Sequence, residues 1–298
     1  MSATRSGFVA LAGRPNAGKS TLVNAIVGEK VAIVSDKPQT TRRAIRGVAA
    51  GEGWQLVLVD LPGVQRPRDP LTERMARRVQ REVTEADAAL IVLNGDEGVG
   101  GPGDRFIAHA LTASQTDAPV VLAVNKMDRL DRARAAAALA AAGELVPGAE
   151  VFPISARTGE GVGELVRHLA GLLPAGPFWF APGESSDQPE HVVVAELIRE
   201  QVLRRARQEV PHAVEVQVDE IDRTREDLVV IKALAWVETE SQKAILIGAG
   251  GKMVKAVGTA ARRELERLLG ERVHLEINVR VRKRWRADDA LLDRLGID

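Results

Sequence analysis

The segment Gly13–Thr21 reads GRPNAGKST and carries the residue types that bind the phosphates of a nucleotide. It matches G-x-x-x-x-G-K-[ST], and it follows an apolar strand pattern at Phe8–Ala12 and precedes a helical one, as that motif requires. The glycines let backbone N–H groups close around phosphate, Lys19 is expected to contact the β- and γ-phosphates, and Ser20 to coordinate Mg²⁺. A glycine-rich turn without a ligand is the less favoured alternative. The expected phosphate-contacting residues are Gly13, Arg14, Pro15, Asn16, Ala17, Gly18, Lys19, Ser20 and Thr21.

A second segment, Asp60–Gly63, reads DLPG and ends an apolar strand pattern at Leu56–Val59. An aspartate at this place can hold Mg²⁺ through a water molecule, and the Gly63 N–H can meet the γ-phosphate. The same four residues also make a good turn, but their position about 40 residues after the phosphate loop favours the nucleotide site. The expected contacts here are Asp60, Leu61, Pro62, Gly63 and Val64.

A third segment, Asn125–Asp128, reads NKMD and follows the strand pattern Val120–Val124. A carboxylate at Asp128 can accept two hydrogen bonds from guanine, at N1–H and the exocyclic amine, whereas adenine has no donor at the corresponding ring nitrogen. The alternative for Asp128 is an N-cap of a helix expected over Arg129–Ala142. The segment Ser155–Arg157 follows the next strand and can offer a backbone N–H to guanine O6, or it can be a simple cap. The expected base contacts are Asn125, Lys126, Met127, Asp128, Ser155, Ala156 and Arg157.

Two threonines in Lys37–Arg43 (KPQTTRR) lie between the first two motifs. A threonine here would coordinate Mg²⁺ and sense the γ-phosphate, which would make the segment an order–disorder switch. We favour Thr41, with Thr40 next, over the alternative of two strand threonines. The expected metal ligands are therefore Ser20, Thr41 and Asp60.

The elements that must position these motifs alternate between strand and helix patterns through residue 175. Short, continuous apolar runs such as Ala88–Leu93 and Val151–Ile154 indicate strands buried on both faces, with amphipathic stretches such as Leu71–Val83 between them. The fold class predicted for residues 1–175 is therefore α/β, with a mainly parallel sheet covered by helices. Ligands bind at the carboxyl ends of the strands in such sheets, where all four motifs lie.

Residues 176–190 are rich in proline and glycine and are expected to be a linker. After it, a helix pattern at Val192–Gln208 precedes strand patterns at Ala213–Ile221 and Leu228–Val237. A glycine turn then opens a helix over Lys252–Leu269, and a last strand alternates over Arg272–Val281. The sequence therefore predicts a second, smaller α+β domain over residues 191–298.

The motifs together resemble the Era family of GTPases. The resemblance rests on GRPNAGKST, KPQTTR, DLPG, NKMD and SAR, followed by a second module with an IG-x-x-G loop, and it covers essentially the whole chain. It implies a Ras-like G domain that binds GTP or GDP with Mg²⁺ and a type II KH domain that binds RNA. It also implies GTP hydrolysis, with Lys19, Thr41, Gly63 and Asn16 as the residues closest to the reaction.

The residue after DLPG is Val64, where many GTPases place a glutamine that orients the attacking water. Valine cannot hydrogen-bond water, so intrinsic hydrolysis is expected to be slow without another group or ion. In related GTPases with a hydrophobic residue at that position, an asparagine matching Asn16 helps bind potassium. Whether Asn16 binds potassium or only stabilises the loop stays open at this point.

The loop Gly248–Gly251 matches the GXXG signature of KH domains, which clamps about four nucleotides of RNA backbone. Residues 242–286 carry twelve Lys or Arg against four Glu, a local net charge of +8 in a chain whose net charge is zero. The alternative is a solvated helix whose arginines pair with Glu264 and Glu266. The family usually has a lysine inside this loop, and its absence puts affinity in doubt more than the mode of binding. The expected RNA contacts are Gly248, Ala249, Gly250, Gly251, Lys252 and Lys255.

The resemblance further implies binding to the 3′ end of 16S rRNA and a role in maturation of the 30S ribosomal subunit. A GTPase acting on membranes or in tRNA modification, an RNA-binding module that binds nucleotide without hydrolysis, and an ATP-dependent kinase are the alternatives. The kinase is the least favoured, because NKMD opposes it. We expect a cytoplasmic monomer, with peripheral association with the inner face of the cell membrane as an open alternative.

Composition excludes several other classes. The 298 residues are 45% hydrophobic and 28% charged, which is ordinary for a globular protein and excludes a disordered or collagen-like chain. The absence of cysteine excludes disulfides, thiolate metal sites and cysteine nucleophiles. We find no apolar run approaching the roughly 18 residues of a membrane span, and no signal-peptide core in residues 1–7.

Overall fold

A computed structural model describes residues 4–37, 39–63, 68–112, 118–206 and 210–297. The chain divides into two compact units. The first comprises Met1–Ala32, Thr41–Arg68 and Thr72–Asp187. The second comprises Ile33–Thr40, Asp69–Leu71 and Gln188–Asp298, so two short stretches from the first half of the sequence cluster with the C-terminal part.

The first unit is built on a six-stranded sheet in the order β2-β3-β1-β4-β5-β6, in which only β2 runs antiparallel to its neighbour. The buried apolar runs predicted this mainly parallel sheet, and the prediction is confirmed. The strand β2 was not predicted, because its sequence IRGVAAG lacks a continuous apolar run. The strands are β1 (Arg5–Ala12), β2 (Ile45–Gly51), β3 (Trp54–Asp60), β4 (Ala88–Asn94), β5 (Val120–Asn125) and β6 (Val151–Pro153).

Helices cover both faces of this sheet. Alternate residues of β1 enter two separate hydrophobic clusters, with Val9 and Leu11 in one and Ala10 and Ala12 in the other. Burial on both faces explains why the strands read as unbroken apolar runs. The helices of this unit are α1 (Lys19–Val27), α2 (Pro70–Glu85), α3 (Pro102–Thr112), α4 (Arg132–Leu145) and α5 (Val162–Leu172), of which α3 was not predicted.

The register of the sheet brings the functional motifs to one edge. Leu11 near the end of β1 pairs with Asp60 at the end of β3, and Asn94 at the end of β4 pairs with Asn125 at the end of β5. The loops that follow these strands therefore begin at the same level, which is where open α/β sheets bind ligands.

The proline-rich segment after α5 packs along the first unit. The Gln55 side chain accepts hydrogen bonds from the backbone N–H of Trp179 and of Phe180, at 2.8 and 3.0 Å, and donates to the Phe180 carbonyl. The Trp179 ring lies 5.5 Å from the Phe8 ring, centroid to centroid. This part of the chain is therefore held by specific contacts.

The second unit is a three-stranded sheet in the order β7-β8-β9, with β7 antiparallel and β9 parallel to β8. The strand expected from Ala213 begins at Glu215, because the preceding residues form a short helix. The helix predicted over Val192–Gln208 is present as Glu190–Arg205, and it ends earlier than predicted, because Ala206 is extended. Residues 207 and 208 lie outside the described part of the chain. The elements are α6 (Glu190–Arg205), α7 (Val210–Ala213), β7 (Glu215–Arg225), β8 (Leu228–Val237), α8 (Glu240–Ile247), α9 (Lys252–Leu269), β9 (Val273–Val281) and α10 (Asp289–Arg294).

The core of the second unit lies between this sheet and the helices α6 and α9. Val194 and Ile198 of α6, Ala261 of α9 and Ile231 of β8 are all fully buried in one cluster. The buried Trp285 donates its indole N–H to the Ala213 carbonyl at 2.7 Å, which holds the chain after β9 against α7. The smaller α+β domain predicted from the sequence is confirmed.

By length and composition alone, the helical stretch Glu240–Leu269 is apolar enough to cross a membrane. This differs from the expectation that no apolar run in the sequence approaches the length of a membrane span. In the structure the stretch consists of α8 and α9, which are separated at Gly250, where φ is 58°. Since the backbone leaves the helical conformation there, the stretch is two helices joined by a glycine loop.

Candidate functional site

The loop between β1 and α1 can form only with glycine at two positions. A Cβ atom on Gly13 would lie 2.5 Å from the Val92 carbonyl oxygen, and a Cβ on Gly18 would overlap the Asn125 amide nitrogen. Gly18 also has a φ of 97° immediately before α1, which few other residues adopt. The N-terminus of α1 is therefore open to an anion through its free backbone N–H groups.

Lys19 lies buried in this loop. Its Nζ donates to the carbonyl oxygens of Gly13 and Arg14 at 3.2 and 3.3 Å. Burial lowers the pKa of Lys19, against the opposing effect of Asp60. A buried ammonium with carbonyl partners is stabilised by an added anion, so the position fits a phosphate group.

Three side-chain oxygens converge beside the loop, on Ser20, Thr41 and Asp60. The Ser20 hydroxyl donates to the Asp60 carboxylate at 2.6 Å and lies 3.1 Å from the Thr41 hydroxyl, which is 3.4 Å from the same carboxylate oxygen. The other Asp60 oxygen, Oδ1, is buried without a hydrogen-bond partner among the described residues. Burial raises the pKa of Asp60, although Lys19 and the two hydroxyls oppose the shift.

A buried, unpartnered carboxylate oxygen next to two hydroxyls is the donor set that a hard divalent cation prefers. The chemistry of the cluster therefore fits Mg²⁺. The structure also distinguishes between the two threonines as candidate metal ligands. Thr41 is part of the cluster, whereas the Thr40 hydroxyl donates to the Lys37 carbonyl at 2.6 Å. Neither threonine lies in a strand.

The remaining residues of the phosphate loop are tied to neighbouring elements. Arg14 donates to Asp104 of α3 at 2.8 Å, and Asn16 adopts a left-handed backbone with a φ of 62°. The Asn94 amide donates to the Asn16 carbonyl at 3.3 Å. Asn94 was missed by the sequence analysis, although a polar residue that ends the buried run ALIVLN was a usable signal.

The DLPG segment approaches the phosphate loop from β3. Leu61 is fully buried and Pro62 is buried, and Gly63 lies so close to Pro15 that an added Cβ would sit 2.9 Å from the Pro15 nitrogen. Gly63 therefore lies directly beside Pro15 in the loop between β1 and α1. Val64 lies outside the described residues.

Asn125 connects three of the motifs. Its amide donates to the Ala17 carbonyl at 2.9 Å, and its oxygen accepts from the Lys126 and Ala156 N–H groups at 2.8 and 2.9 Å. The side chain is buried, so these bonds have no competition from water. Lys126 has a φ of 66°, and burial lowers its pKa. Asn125 therefore joins the segments Asn125–Asp128 and Ser155–Arg157 to the loop between β1 and α1.

The Asp128 carboxylate is held by two neighbours. It accepts from the Ser155 hydroxyl at 2.7 Å and from Arg157 at 2.5 Å. The hydrogen bond from Ser155, followed by that from Arg157, lowers the pKa of Asp128, so the group is ionised at neutral pH. A fixed carboxylate at the sheet edge can accept two hydrogen bonds from a base edge.

Neither Asp128 nor Ser155 is the N-cap of the helix that follows it. The N-cap of α4 is Asp131, whose side chain accepts from the Arg134 N–H at 2.9 Å. The N-cap of α5 is Gly161. The Ser155 hydroxyl donates to Asp128 and also accepts from the Thr158 N–H at 3.2 Å, so it closes a local turn as well as holding the carboxylate.

The glycine loop of the second unit projects between α8 and α9. Gly248, Gly250 and Gly251 all have positive φ, and a Cβ on Gly248 would lie 2.8 Å from the Met253 backbone nitrogen. Around Gly250 and Gly251 an added Cβ would meet no atom within 4 Å. The loop is therefore open to a ligand on one side and tightly packed on the other.

Lysines at the start of α9 extend this open side. Lys252 and Lys255 are exposed and make no ion pair among the described residues. Further along the helix, Arg267 pairs with Glu264 at 3.3 Å and Arg262 approaches Glu266 at 3.9 Å, as the solvated-helix alternative expects. These ion pairs lie in the last turns of α9, so they do not neutralise the positive charge of Lys252 and Lys255 next to the glycine loop.

A buried charged cluster on α6 was not foreseen as functional. Glu196, Arg199 and Glu200 are buried, together with Glu215 at the start of β7. The motif AELIREQVL showed the charges, but a single sequence gives no sign that both faces of the helix are covered. The contacts of this cluster are described below.

Two family models match the chain. A 50S ribosome-binding GTPase model matches residues 8–126, and a KH domain model matches residues 209–286. The first contains the phosphate loop, DLPG and the start of NKMD, and the second contains the glycine loop.

Relatives match over the full length. Proteins named GTPase Era from Mycobacterium sp. (strain KMS) and Mycobacterium bovis (strain BCG / Pasteur 1173P2) are 46% and 45% identical to this chain, over 99% of it and 100% of their own length. A crystal structure of Era in complex with MgGDPNP and a fragment of 16S ribosomal RNA has a TM-score of 0.93 at 32% identity and covers 99% of both chains. An Era variant from Aquifex aeolicus bound to GDP·AlF4⁻ has a TM-score of 0.94 at 33% identity and the same coverage.

Proposed function

The chain belongs to the Era family of GTPases, and from that premise we propose that it binds the 3′ end of 16S rRNA through its KH domain and assists maturation of the 30S ribosomal subunit. The chain is a GTP-hydrolysing enzyme with a G domain and a KH domain. The family predicted from the sequence motifs is thereby confirmed.

Our proposal gives each residue of the nucleotide site one role. Lys19 and the backbone N–H groups of the loop from Asn16 to Thr21 bind the phosphates and withdraw charge from them as the terminal bond breaks. The Gly63 N–H binds the γ-phosphate, and Asp128 selects guanine. Ser20, Thr41 and Asp60 would hold Mg²⁺, which supplies positive charge to the phosphate oxygens when bound.

The residue that orients the attacking water is absent from this set. Since Val64 has no polar group, we propose that Asn16 helps to hold a potassium ion that supplies charge beside the phosphates. This proposal rests on the residue types at positions 16 and 64 and on the family resemblance. The alternative role, stabilisation of the loop, is separated from this one by a prediction below.

The RNA part of the proposal depends on one observation, the glycine loop Gly248–Gly251 with its exposed tip at Ala249 and Gly250. Lys252 and Lys255 lie beside it, exposed and without an ion pair in the part of the chain that the structure describes. Glycine lets a phosphate backbone approach the polypeptide, and the two lysines supply positive charge without a competing carboxylate. The structural relative bound to a 16S rRNA fragment supports this choice of RNA.

Crosslinking of the full chain to total bacterial RNA, with GDPNP in one sample and GDP in the other, tests the proposal. Sequencing of the bound fragments is expected to show enrichment of the 16S rRNA 3′ end. Enrichment of tRNA would instead favour the tRNA-modification alternative. Accumulation of immature 30S subunits on depletion of the protein tests the maturation role.

We also propose the boundaries 1–175 for the G domain, 176–190 for the linker and 191–298 for the KH domain, and a cytoplasmic monomer. Sedimentation at several concentrations tests the monomer. Flotation with vesicles that contain anionic lipid tests the alternative of peripheral association with the membrane.

A further inference from the structure

Charged residues of α6 lie buried where neither nucleotide nor RNA chemistry requires them. The Arg199 side chain is 0% exposed, and it donates to Glu196 at 2.6 Å and lies 3.9 Å from Glu215. These carboxylates raise the pKa of Arg199, against a burial that lowers it, so the guanidinium stays charged. Burial of such a cluster is costly unless its groups have partners, so the identity of the remaining partners matters.

Two of those partners belong to the backbone of the segment 33–40, which clusters with the second unit. Arg199 donates from Nη2 to the Thr40 carbonyl. Glu200, the next residue of α6, accepts from the Val34 N–H at 3.0 Å. Ile33 packs in the hydrophobic cluster that contains Ile198. Helix α6 therefore holds the segment at both ends.

The end of this segment has a backbone that needs outside support. Gln39 has a φ of 59°, a left-handed conformation that a residue with a Cβ rarely adopts. The Thr40 hydroxyl closes the turn by donating to the Lys37 carbonyl. The bond from Arg199 to the Thr40 carbonyl is the contact from outside the turn that fixes its last peptide group.

That peptide group is planar and joins Thr40 directly to Thr41. The Thr41 hydroxyl lies 3.1 Å from Ser20 and 3.4 Å from Asp60, in the cluster that fits Mg²⁺. We propose that Arg199 is a positioning residue for Thr41, which it holds in the geometry that recognises the γ-phosphate and its metal ion. The proposal rests on the role proposed above for Thr41.

The same contact gives a route between nucleotide and RNA. Coupling between two sites is reciprocal. If the bond from Arg199 favours the position of Thr41 that binds GTP, then bound GTP must favour the bond between Arg199 and the segment 33–40. Helix α6 packs in the core beside β7 and α9, the helix that follows the glycine loop.

The test compares Arg199→Lys with Arg205→Lys. Lysine keeps the positive charge near Glu196 and Glu215 but lacks the planar fork that reaches Thr40 at the same time. Arg205 lies on the same helix, and among the described residues it donates to Gln201 of that helix and not to the segment 33–40, so it serves as the control. We expect Arg199→Lys to weaken binding of Mg·GDPNP about tenfold, the loss of one charge-assisted hydrogen bond. Binding of GDP is expected to stay unchanged, as are both affinities in the control.

Thr41→Val separates the inference from its premise. If Thr41→Val lowers the affinity for Mg·GDPNP selectively but Arg199→Lys does not, Arg199 does not position Thr41. If Thr41→Val has no selective effect, the proposed role of Thr41 is wrong, and the inference falls with it. Equal loss of GDPNP and GDP in Arg199→Lys would reduce Arg199 to a structural residue and overturn the proposal.

Hydrogen exchange of the wild type provides a readout that needs no variant. Replacing GDP with Mg·GDPNP is expected to slow exchange of the amides from Val34 to Thr41, since the bound state fixes the held segment. In Arg199→Lys the difference between the two nucleotides is expected to shrink. No difference in the wild type would contradict the proposal even if the variant failed to fold.

Discussion

At the residue scale, the proposed selection of guanine depends on Asp128, whose carboxylate is fixed by Ser155 and Arg157. Only 10% of the Asp128 side chain is exposed, whereas Arg157 is 69% exposed. The serine is therefore the dependable partner, and the arginine pair is screened by solvent. The hydrogen bond from Ser155 is also the largest cause of the lowered pKa of Asp128.

Asp128→Asn should weaken GTP binding and favour a xanthosine nucleotide. The new amide N–H₂ faces the guanine donors but can donate to the extra carbonyl of xanthine. The expected loss for GTP is about 1.5–3 kcal/mol, or roughly ten- to hundred-fold in Kd. Competition between the two nucleotides measures it. Asp131→Asn is the control, since asparagine caps α4 as well as aspartate does. Unchanged preference for guanine would remove Asp128 from the base site.

A second prediction concerns Asn16. If its side chain helps to hold potassium, GTP hydrolysis should be faster in potassium than in sodium chloride, and Asn16→Gly should abolish the difference. Glycine is the informative change, because it accepts the φ of 62° that alanine would strain. Rates of phosphate release in the two salts measure the effect. Equal wild-type rates in both salts would exclude the ion, and loss of all nucleotide binding in Asn16→Gly would favour the loop-stabilising role.

At the scale of elements, the buried parallel strands and the motifs at their ends were predictable because both-face burial gives unbroken apolar runs. The strand Ile45–Gly51 was not predicted, since IRGVAAG has no continuous apolar run. The helix Pro102–Thr112 was missed although its buried residues Asp104, Ile107, Ala108 and Leu111 have helical spacing. The buried charges of α6 could not be read from sequence, because the cover on their side comes from a segment about 160 residues earlier in the chain.

Substitutions in the glycine loop are expected to remove RNA binding and to leave GTP hydrolysis intact. Ala249 and Gly250 are exposed, and no atom lies within 4 Å of a Cβ on Gly250. We expect Ala249→Asp with Gly250→Asp to abolish RNA binding, because two carboxylates would repel the phosphate backbone. The unfolding temperature and GTP hydrolysis without RNA should stay close to wild type. Filter binding of labelled RNA at several salt concentrations measures the effect.

The matched control is Ala140→Asp with Gly143→Asp, which adds the same charge at exposed positions of α4. It should leave RNA binding unchanged. Lys252→Ala or Lys255→Ala should weaken binding to all sequences and reduce the salt slope by about one ion each. Wild-type RNA affinity in the double aspartate variant would mean that the loop only joins α8 to α9.

At the scale of the whole chain, the segments 33–40 and 69–71 cluster with the KH unit although they lie within the sequence of the G domain. Arg286, after β9, pairs with Asp69 at 2.6 Å, just as Arg199 contacts Thr40. The segments next to Thr41 and after DLPG therefore each have an arginine partner from the C-terminal part. A division of the chain into consecutive domains would assign both segments to the G domain and would miss their contacts with the C-terminal part.

Lys19→Ala should remove nucleotide control without removing RNA binding. Loss of the buried ammonium leaves the phosphates without their main cation, so affinity for GDPNP and GDP should fall by more than about tenfold. Because the glycine loop and its lysines are unchanged, the full chain should still bind a fragment of the 16S rRNA 3′ end. In the wild type that affinity should differ between GDPNP and GDP, and in Lys19→Ala it should be the same with either nucleotide, as measured by fluorescence anisotropy.

Lys30→Ala, just beyond α1, should behave as wild type in both assays. Loss of RNA binding by Lys19→Ala in the absence of nucleotide would show that the RNA site depends directly on the phosphate loop, against a division of labour between the two domains.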